Sequence, residues 1–272
     1  MPSFRSRRRS VILSAASIVI CALLLATHRA VPRVAPSTIV PITHMISARS
    51  GHSATLLQDG RVLIVGGMVR NGQFLSSAEL YDPQKRTFTP TGSMSSPRVG
   101  QGAARLKDGR VLICGGWAKG GPTDMVELYD PVTGTFTAPT SMTSRRAHPN
   151  AVLLADGRVL IVGGGSSDRE GLRTAELYDP VVNRFTRTGD MHDGRIEQTA
   201  SLLLNGQVLV AGGMALGRVT ATADLYDPST SQFTAVGPMK TARYKHTAQT
   251  LPDGRVLIAG GSDERDGAGS LT

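Results

Sequence analysis

Five arginines recur along this chain at intervals of 48 or 49 residues: Arg49, Arg98, Arg146, Arg195 and Arg243. A guanidinium presents a planar fork of donors that matches carboxylate or sulfate. Five of them gathered at one place would form a basic funnel for such an anion or for an acidic peptide. The competing use is internal, each arginine tying its own segment to backbone carbonyls or to Glu79, Glu127, Glu176 and Asp224, because a ring of unpaired like charges repels itself. Two histidines, His52 and His246, also share a repeat position and would face neighbouring units if a ring of five units closed. They are the nearest thing to a metal pair, but no third ligand of matching spacing accompanies them. Cys114 occupies a position filled elsewhere by valine or alanine and reads as a buried, inert thiol. Within the repeat array Trp117, Tyr244 and Phe74 are the aromatics outside fixed positions, so a sugar-stacking platform would have to rest on them.

These residues are positioned by a repeat that begins at residue 45. Met45, Met94, Met142, Met191 and Met239 each precede one of the arginines by four residues. A hairpin signal, an apolar run and a Gly-Gly pair follow. The first four repeats continue into Leu-Tyr-Asp-Pro, ending at Pro83, Pro131, Pro180 and Pro228, and then a phenylalanine. A period of this length, rich in turn residues, marks an array whose units bury their apolar faces only against each other. Each unit reads as four strands. Strand a, such as residues 52–57, ends in Asp59-Gly60, a pair suited to a tight hairpin. Strand b, residues 62–65, is apolar throughout and so must be covered on both sides. Strand c, residues 78–81, stops at Asp82-Pro83, since proline cannot donate to a ladder. Strand d carries Phe88 and runs toward Met94.

The run Arg49 to His52, Asp59-Gly60-Arg61-Val62-Leu63-Ile64, Gly66-Gly67 and Glu79-Leu80-Tyr81-Asp82-Pro83 resembles one kelch motif, and in-phase copies cover residues 45–261. The resemblance implies an all-β fold, a kelch-type β-propeller. About five blades are present and the last is incomplete. Kelch propellers most often have six or seven blades, and they range from pure binding modules to the catalytic domain of galactose oxidase. Residues 38–45 align on residues 87–94, so the array opens with a lone strand d, whereas the last repeat reaches residue 272 just where strand c should begin. Either the chain is a fragment of a longer ring or a five-bladed ring closes with one defective blade; the fragment is the expectation, because a strand d lacking its strand c leaves ladder groups unpaired.

The first 33 residues carry six arginines, Arg5, Arg7, Arg8, Arg9, Arg29 and Arg33, and no acid. Without them the formal charge of +9 falls to +3, so the basic character belongs to the leader and no nucleic-acid surface is implied. Arg7 to Arg9 followed by the apolar run Val11 to Ala26 is a signal-peptide pattern, short for a spanning helix. The expected organisation is a signal peptide or N-terminal anchor at 1–30, a linker at 31–37 and the propeller domain at 38–272, placed in the periplasm, on the cell envelope or outside the cell. Membrane contact would be limited to an uncleaved leader.

In galactose oxidase-like proteins a copper-binding tyrosine lies eight residues before the hairpin aspartate. The matching positions here are Gly51, Gly100, His148, Glu197 and Lys245, none of them tyrosine. No catalytic residue, cofactor or metal is therefore assigned. In an antiparallel meander the a-b and c-d turns share one face, and the b-c and d-a loops share the other. The a-b and c-d turns are nearly identical between repeats, whereas the b-c loops vary freely, and function is usually carried by variable loops on a rigid scaffold. The expectation is a monomeric, non-catalytic module that binds a protein, or an acidic or carbohydrate ligand, through the b-c and d-a face. The five arginines, Trp117, His52 and His246 are the candidate contacts. The alternative is a secreted sugar-acting enzyme, an oxidase or epimerase.

Overall fold

The computed structural model describes residues 43–167 and 170–263. The proposed leader, the linker, residues 38–42 of the lone strand d and the segment after residue 263 lie outside the described residues.

Four blades have the four strands read from the repeat. Blade 1 comprises Ser53–Leu56, Val62–Val65, Ala78–Asp82 and Thr87–Pro90. Blade 2 comprises Gly102–Arg105, Val111–Cys114, Val126–Asp130 and Thr135–Thr137. Blade 3 comprises Asn150–Leu153, Val159–Val162, Ala175–Asp179 and Arg184–Arg187, and blade 4 comprises Thr199–Leu202, Val208–Ala211, Ala223–Asp227 and Gln232–Val236. Each is an antiparallel meander in the order a-b-c-d. The fifth repeat contributes strands a and b, Thr247–Thr250 and Val256–Ala259. Asp59 shows how the a-b turn is fixed. Its carboxylate accepts from the backbone N–H of Arg61 at 3.0 Å and from the Arg61 guanidinium at 2.7 Å, and Gly60 takes a φ of 86°. Asp108-Arg110, Asp156-Arg158 and Asp253-Arg255 repeat the arrangement, so these second arginines brace turns.

The hydrophobic core lies between blades. Val111, Ile113 and Tyr129 of blade 2 join Leu63, Val65 and Leu80 of blade 1 in one cluster, while Leu112, Cys114 and Leu128 join Val159, Ile161 and Tyr178 of blade 3 in the next. Strand b thus feeds alternate residues to two neighbouring cores, which is why it has no polar face. Each strand-c tyrosine packs at a tilt on the phenylalanine beside it, with ring centroids 4.8 to 4.9 Å apart, and Tyr129, Tyr178 and Tyr226 join the core of the preceding blade. Tyr129, Tyr178 and Tyr226 are completely buried, but Tyr81 is only partly so. Among the described residues nothing precedes blade 1 to cover it. The innermost strands pack in sequence, blade 1 on 2, 2 on 3, 3 on 4 and 4 on the fifth. No comparable packing joins the fifth strand a to the first among the described residues.

Candidate functional site

The arginines expected to line a basic funnel are inside the protein. Arg49 is 8% exposed, and Arg98, Arg146 and Arg195 are 0% exposed. Each meets the acidic residue in the second position of its own strand c: Arg49 with Glu79 at 2.7 Å, Arg98 with Glu127 at 2.9 Å, Arg146 with Glu176 at 2.9 Å and Arg195 with Asp224 at 2.6 Å. The carboxylates are themselves buried and hold the d-a linker through its backbone, accepting from Ile46 N, Ser95 N, Thr143 N and His192 N. The guanidinium of Arg146 also donates to the carbonyls of Gly163 and Thr174 and to the Thr174 hydroxyl. A buried guanidinium must be paired and saturated to offset its desolvation, and this geometry supplies both. Burial still pulls Arg98, Arg146 and Arg195 below the ordinary arginine range against the opposing pull of their carboxylates. Arg49, Arg146 and Arg195 therefore staple linker, Gly-Gly corner and strand c together, Arg98 is held by its strand-c carboxylate, and the funnel reading is corrected for all four. Arg243 keeps the equivalent bond to the Gly260 carbonyl, at 2.7 Å.

Blade 2 departs from this pattern. Where Ser77, Thr174 and Thr222 give a hydroxyl to the arginines of their blades, Met125 gives none. Arg98 keeps its bond to Glu127, and its buried Nε and Nη1 have no partner.

His52 and His246 share their repeat position with Gln101 and Gln198, whose amides reach back to the Val65 and Val162 carbonyls of the preceding blade at 2.7 and 3.1 Å. His246 makes the analogous reach, Nε2 lying 2.9 Å from the Thr199 hydroxyl. Its pKa is pulled down to about 4, first by burial and then by the charge of Arg243. His246 serves blade-to-blade contact, and among the described residues no group of three His, Cys, Asp or Glu side chains could hold a metal ion. Cys114 is wholly buried and its pKa is pushed up to about 12 by desolvation. Trp117 opens a short hairpin in the b-c loop of blade 2, Trp117–Ala118 paired with Gly121–Pro122.

The d-a linkers carry a feature that the sequence shows only in part. The residue two before each strand a has a left-handed backbone: Gly51, Gly100, His148, Glu197 and Lys245, with φ between 52° and 64°. Glycine fits that conformation without strain, but three blades keep a side chain there. His148 Nδ1 lies 3.6 Å from Glu197 Oε1, with both side chains partly open to solvent. In blade 4 the b-c loop forms a second hairpin, Met214–Ala215 paired with Arg218–Val219, whose tip residue Leu216 has a φ of 50° and is 94% exposed.

A family profile described as the Kelch motif matches residues 48–95, 101–143, 146–192 and 198–240, well over half of the sequence. This chain belongs to the kelch family. The fifth kelch repeat falls outside the matched spans yet preserves the Asp253-Arg255 turn and the Arg243 bond. The solved structure titled "Structure of YjhT" superposes with a TM-score of 0.70 at 14% identity, covering 82% of this chain and 80% of that one, and shares its fold. No curated protein matches the chain.

Two clefts of this kelch array lie on the a-b and c-d face. One of about 540 Å³ between blades 2 and 3 is lined by residues including Leu106, Asp108, Arg158, Pro180 and Val181, and one of about 550 Å³ lies between blades 3 and 4. Their walls are the repeated hairpin turns. The Asp108 and Asp156 carboxylates beside them are saturated by Arg110 and Arg158. Such grooves recur because the blades recur.

Proposed function

We propose that this kelch domain is an exported, non-catalytic binding module that engages a protein partner through its b-c and d-a face. The observation that carries the reading is Leu216. Its hairpin turn requires positive φ at both central residues, Leu216 and Gly217, where asparagine or glycine would sit without strain. A leucine held there and turned into solvent gains no burial within its own chain, and apolar side chains at strained, exposed tips suit insertion into a partner's pocket. Among the described residues, the b-c loops of blades 1 and 3 show single bridges instead, Met68 with Phe74 and Gly165 with Gly171. The face therefore has the blade-to-blade variation of a recognition surface. Support for export comes from the Arg7 to Ala26 leader pattern.

The test uses the full chain, leader included, expressed in its native host. A photo-crosslinking residue is placed at Arg218, beside the tip, or at Val132, which is 92% exposed on the opposite face. The expected result is a discrete adduct with a protein outside the cytoplasm from position 218 alone, lost when Leu216→Asp is added. Equal adducts from both positions, or an adduct indifferent to Leu216→Asp, would overturn the reading.

A further inference from the structure

We infer that the open edge of the fifth repeat's strand b, Val256–Ala259, takes up an extended acidic segment of a partner protein as its strand c. This goes beyond the contact proposed for Leu216 and does not depend on it. In blades 1 to 4 strand b lies between strands a and c, whereas among the described residues Val256–Ala259 pairs with Thr247–Thr250 alone. A row of backbone donors and acceptors left open in this way is a template for another chain. The side chains are open as well. Leu257 is 55% exposed, while its counterparts Leu63, Leu112 and Leu160 are fully buried. A cavity of about 370 Å³ lies beside it, with Met239, Lys240 and Arg243 also in its wall.

The four complete blades specify what fits there. In blade 1 strand b pairs Val65 with Ala78, Ile64 with Glu79, Leu63 with Leu80 and Val62 with Tyr81, and blades 2 to 4 keep this register. The acid in second place receives two donors from the linker before its blade, as Glu176 does from Thr143 N at 2.7 Å and from Arg146 Nη2 at 2.9 Å. The corresponding donors of the fifth repeat are Lys240 N and the Arg243 guanidinium. Arg243 is bonded to the Gly260 carbonyl, and among the described residues neither donor meets a carboxylate. The segment that satisfies this edge therefore sets an acid opposite Ile258, between a small apolar residue opposite Ala259 and a leucine opposite Leu257. Charge-assisted bonds from Arg243 and Lys240 N make the acid the residue that selects the segment. Gly66 N donates to Ser77 O, and the alternation of an antiparallel ladder then turns the N–H of the acid toward strand b and the N–H of the leucine after it away.

The experiment measures binding of a labelled peptide, Thr-Ala-Glu-Leu-Tyr-Asp, the sequence of residues 174–179, to the whole protein by fluorescence anisotropy. Three further peptides carry glutamine in place of the glutamate, an N-methyl group on the glutamate, or an N-methyl group on the leucine. The glutamine peptide and the peptide methylated at glutamate are each expected to bind at least about tenfold more weakly than the parent peptide, and the peptide methylated at leucine to bind as the parent does. The Arg243→Gln protein should no longer distinguish glutamate from glutamine, which ties the selectivity to that pair and not to general stickiness. Absence of binding would mean that the edge is closed in the whole protein and would overturn the inference. So would equal binding of the glutamate and glutamine peptides, equal losses from the two N-methyl groups, or full discrimination by Arg243→Gln.

Discussion

Arg146 and Glu176 are thirty positions apart in sequence and form a fully enclosed ion pair, the guanidinium Nε and Nη2 meeting the same carboxylate oxygen at 3.1 and 2.9 Å. The remaining carboxylate oxygen accepts from Thr143 N at 2.7 Å, so one acidic side chain fixes both the linker and the arginine that follows it. Removing one member of a buried pair strands the other. Arg146→Ala is expected to destabilise the domain by about 3–5 kcal/mol in urea unfolding. The double variant Arg146→Met, Glu176→Leu should recover only part of that loss, because Thr143 N and the Gly163 and Thr174 carbonyls would still lack partners. An unchanged unfolding midpoint for Arg146→Ala would show that the staple contributes nothing.

Blade 2 gives a prediction of opposite sign. Met125→Thr restores the hydroxyl that accepts from the arginine Nη2 in blades 3 and 4, adding a second partner for the Arg98 Nη2 that now meets Glu127 alone, and Met125 is only partly buried. A new hydrogen bond to a buried charged group contributes about 1.5–3 kcal/mol, offset in part by lost methionine packing. The expected net effect is a melting temperature raised by a few degrees. A fall would mean that the Met125 side chain matters more where it is than a partner for Arg98 does.

Tyr129 and Tyr81 occupy the same repeat position with different surroundings. Tyr129 is enclosed by the core of blade 1 and shares a hydrogen bond with Thr91 at 2.9 Å, whereas Tyr81 faces no preceding blade among the described residues. Tyr129→Ala should cost about 3–5 kcal/mol, and Tyr81→Ala clearly less. Equal losses in thermal unfolding would mean that Tyr81 is covered by something else in solution.

The blades were legible because Asp-Gly, Gly-Gly and Asp-Pro each impose a local backbone geometry, and because Val62 to Val65 and its copies have no polar face to expose. The arginines were harder. Their period was visible, but whether they point at solvent or at Glu79, Glu127, Glu176 and Asp224 depends on how a d-a linker folds over its own strand c, a tertiary choice that spacing does not encode. Gly51 and Gly100 signalled a left-handed position that His148, Glu197 and Lys245 hid. Leu216 stood among variable loop residues, and the Leu216-Gly217 pair lacks the usual Asn-Gly or Asp-Gly signature of its turn.

The last prediction concerns pH. His246 has a pKa pulled down to about 4 by burial and by the neighbouring Arg243, and that of His52 is lowered for the same two kinds of reason, with Arg49 as the charge. Above the ordinary histidine pKa of ~6.5 the ring is neutral in both folded and unfolded chains and stability is unaffected. As pH falls from there toward 4, the unfolded chain takes up a proton that the folded chain refuses, so stability is lost by up to about 1.4 kcal/mol per unit, levelling once the folded ring also protonates. Gln101 and Gln198 show what can stand at this position without titrating, since each donates to the strand-b carbonyl of the preceding blade. His246→Gln should therefore reach for Ala211 O, remain folded, and lose less stability than the parent between pH 7 and pH 5 in thermal melts. If the two proteins show the same pH dependence, His246 is protonated as readily when folded as when unfolded, and its burial between blades 4 and 5 is not what the contacts with Thr199 imply.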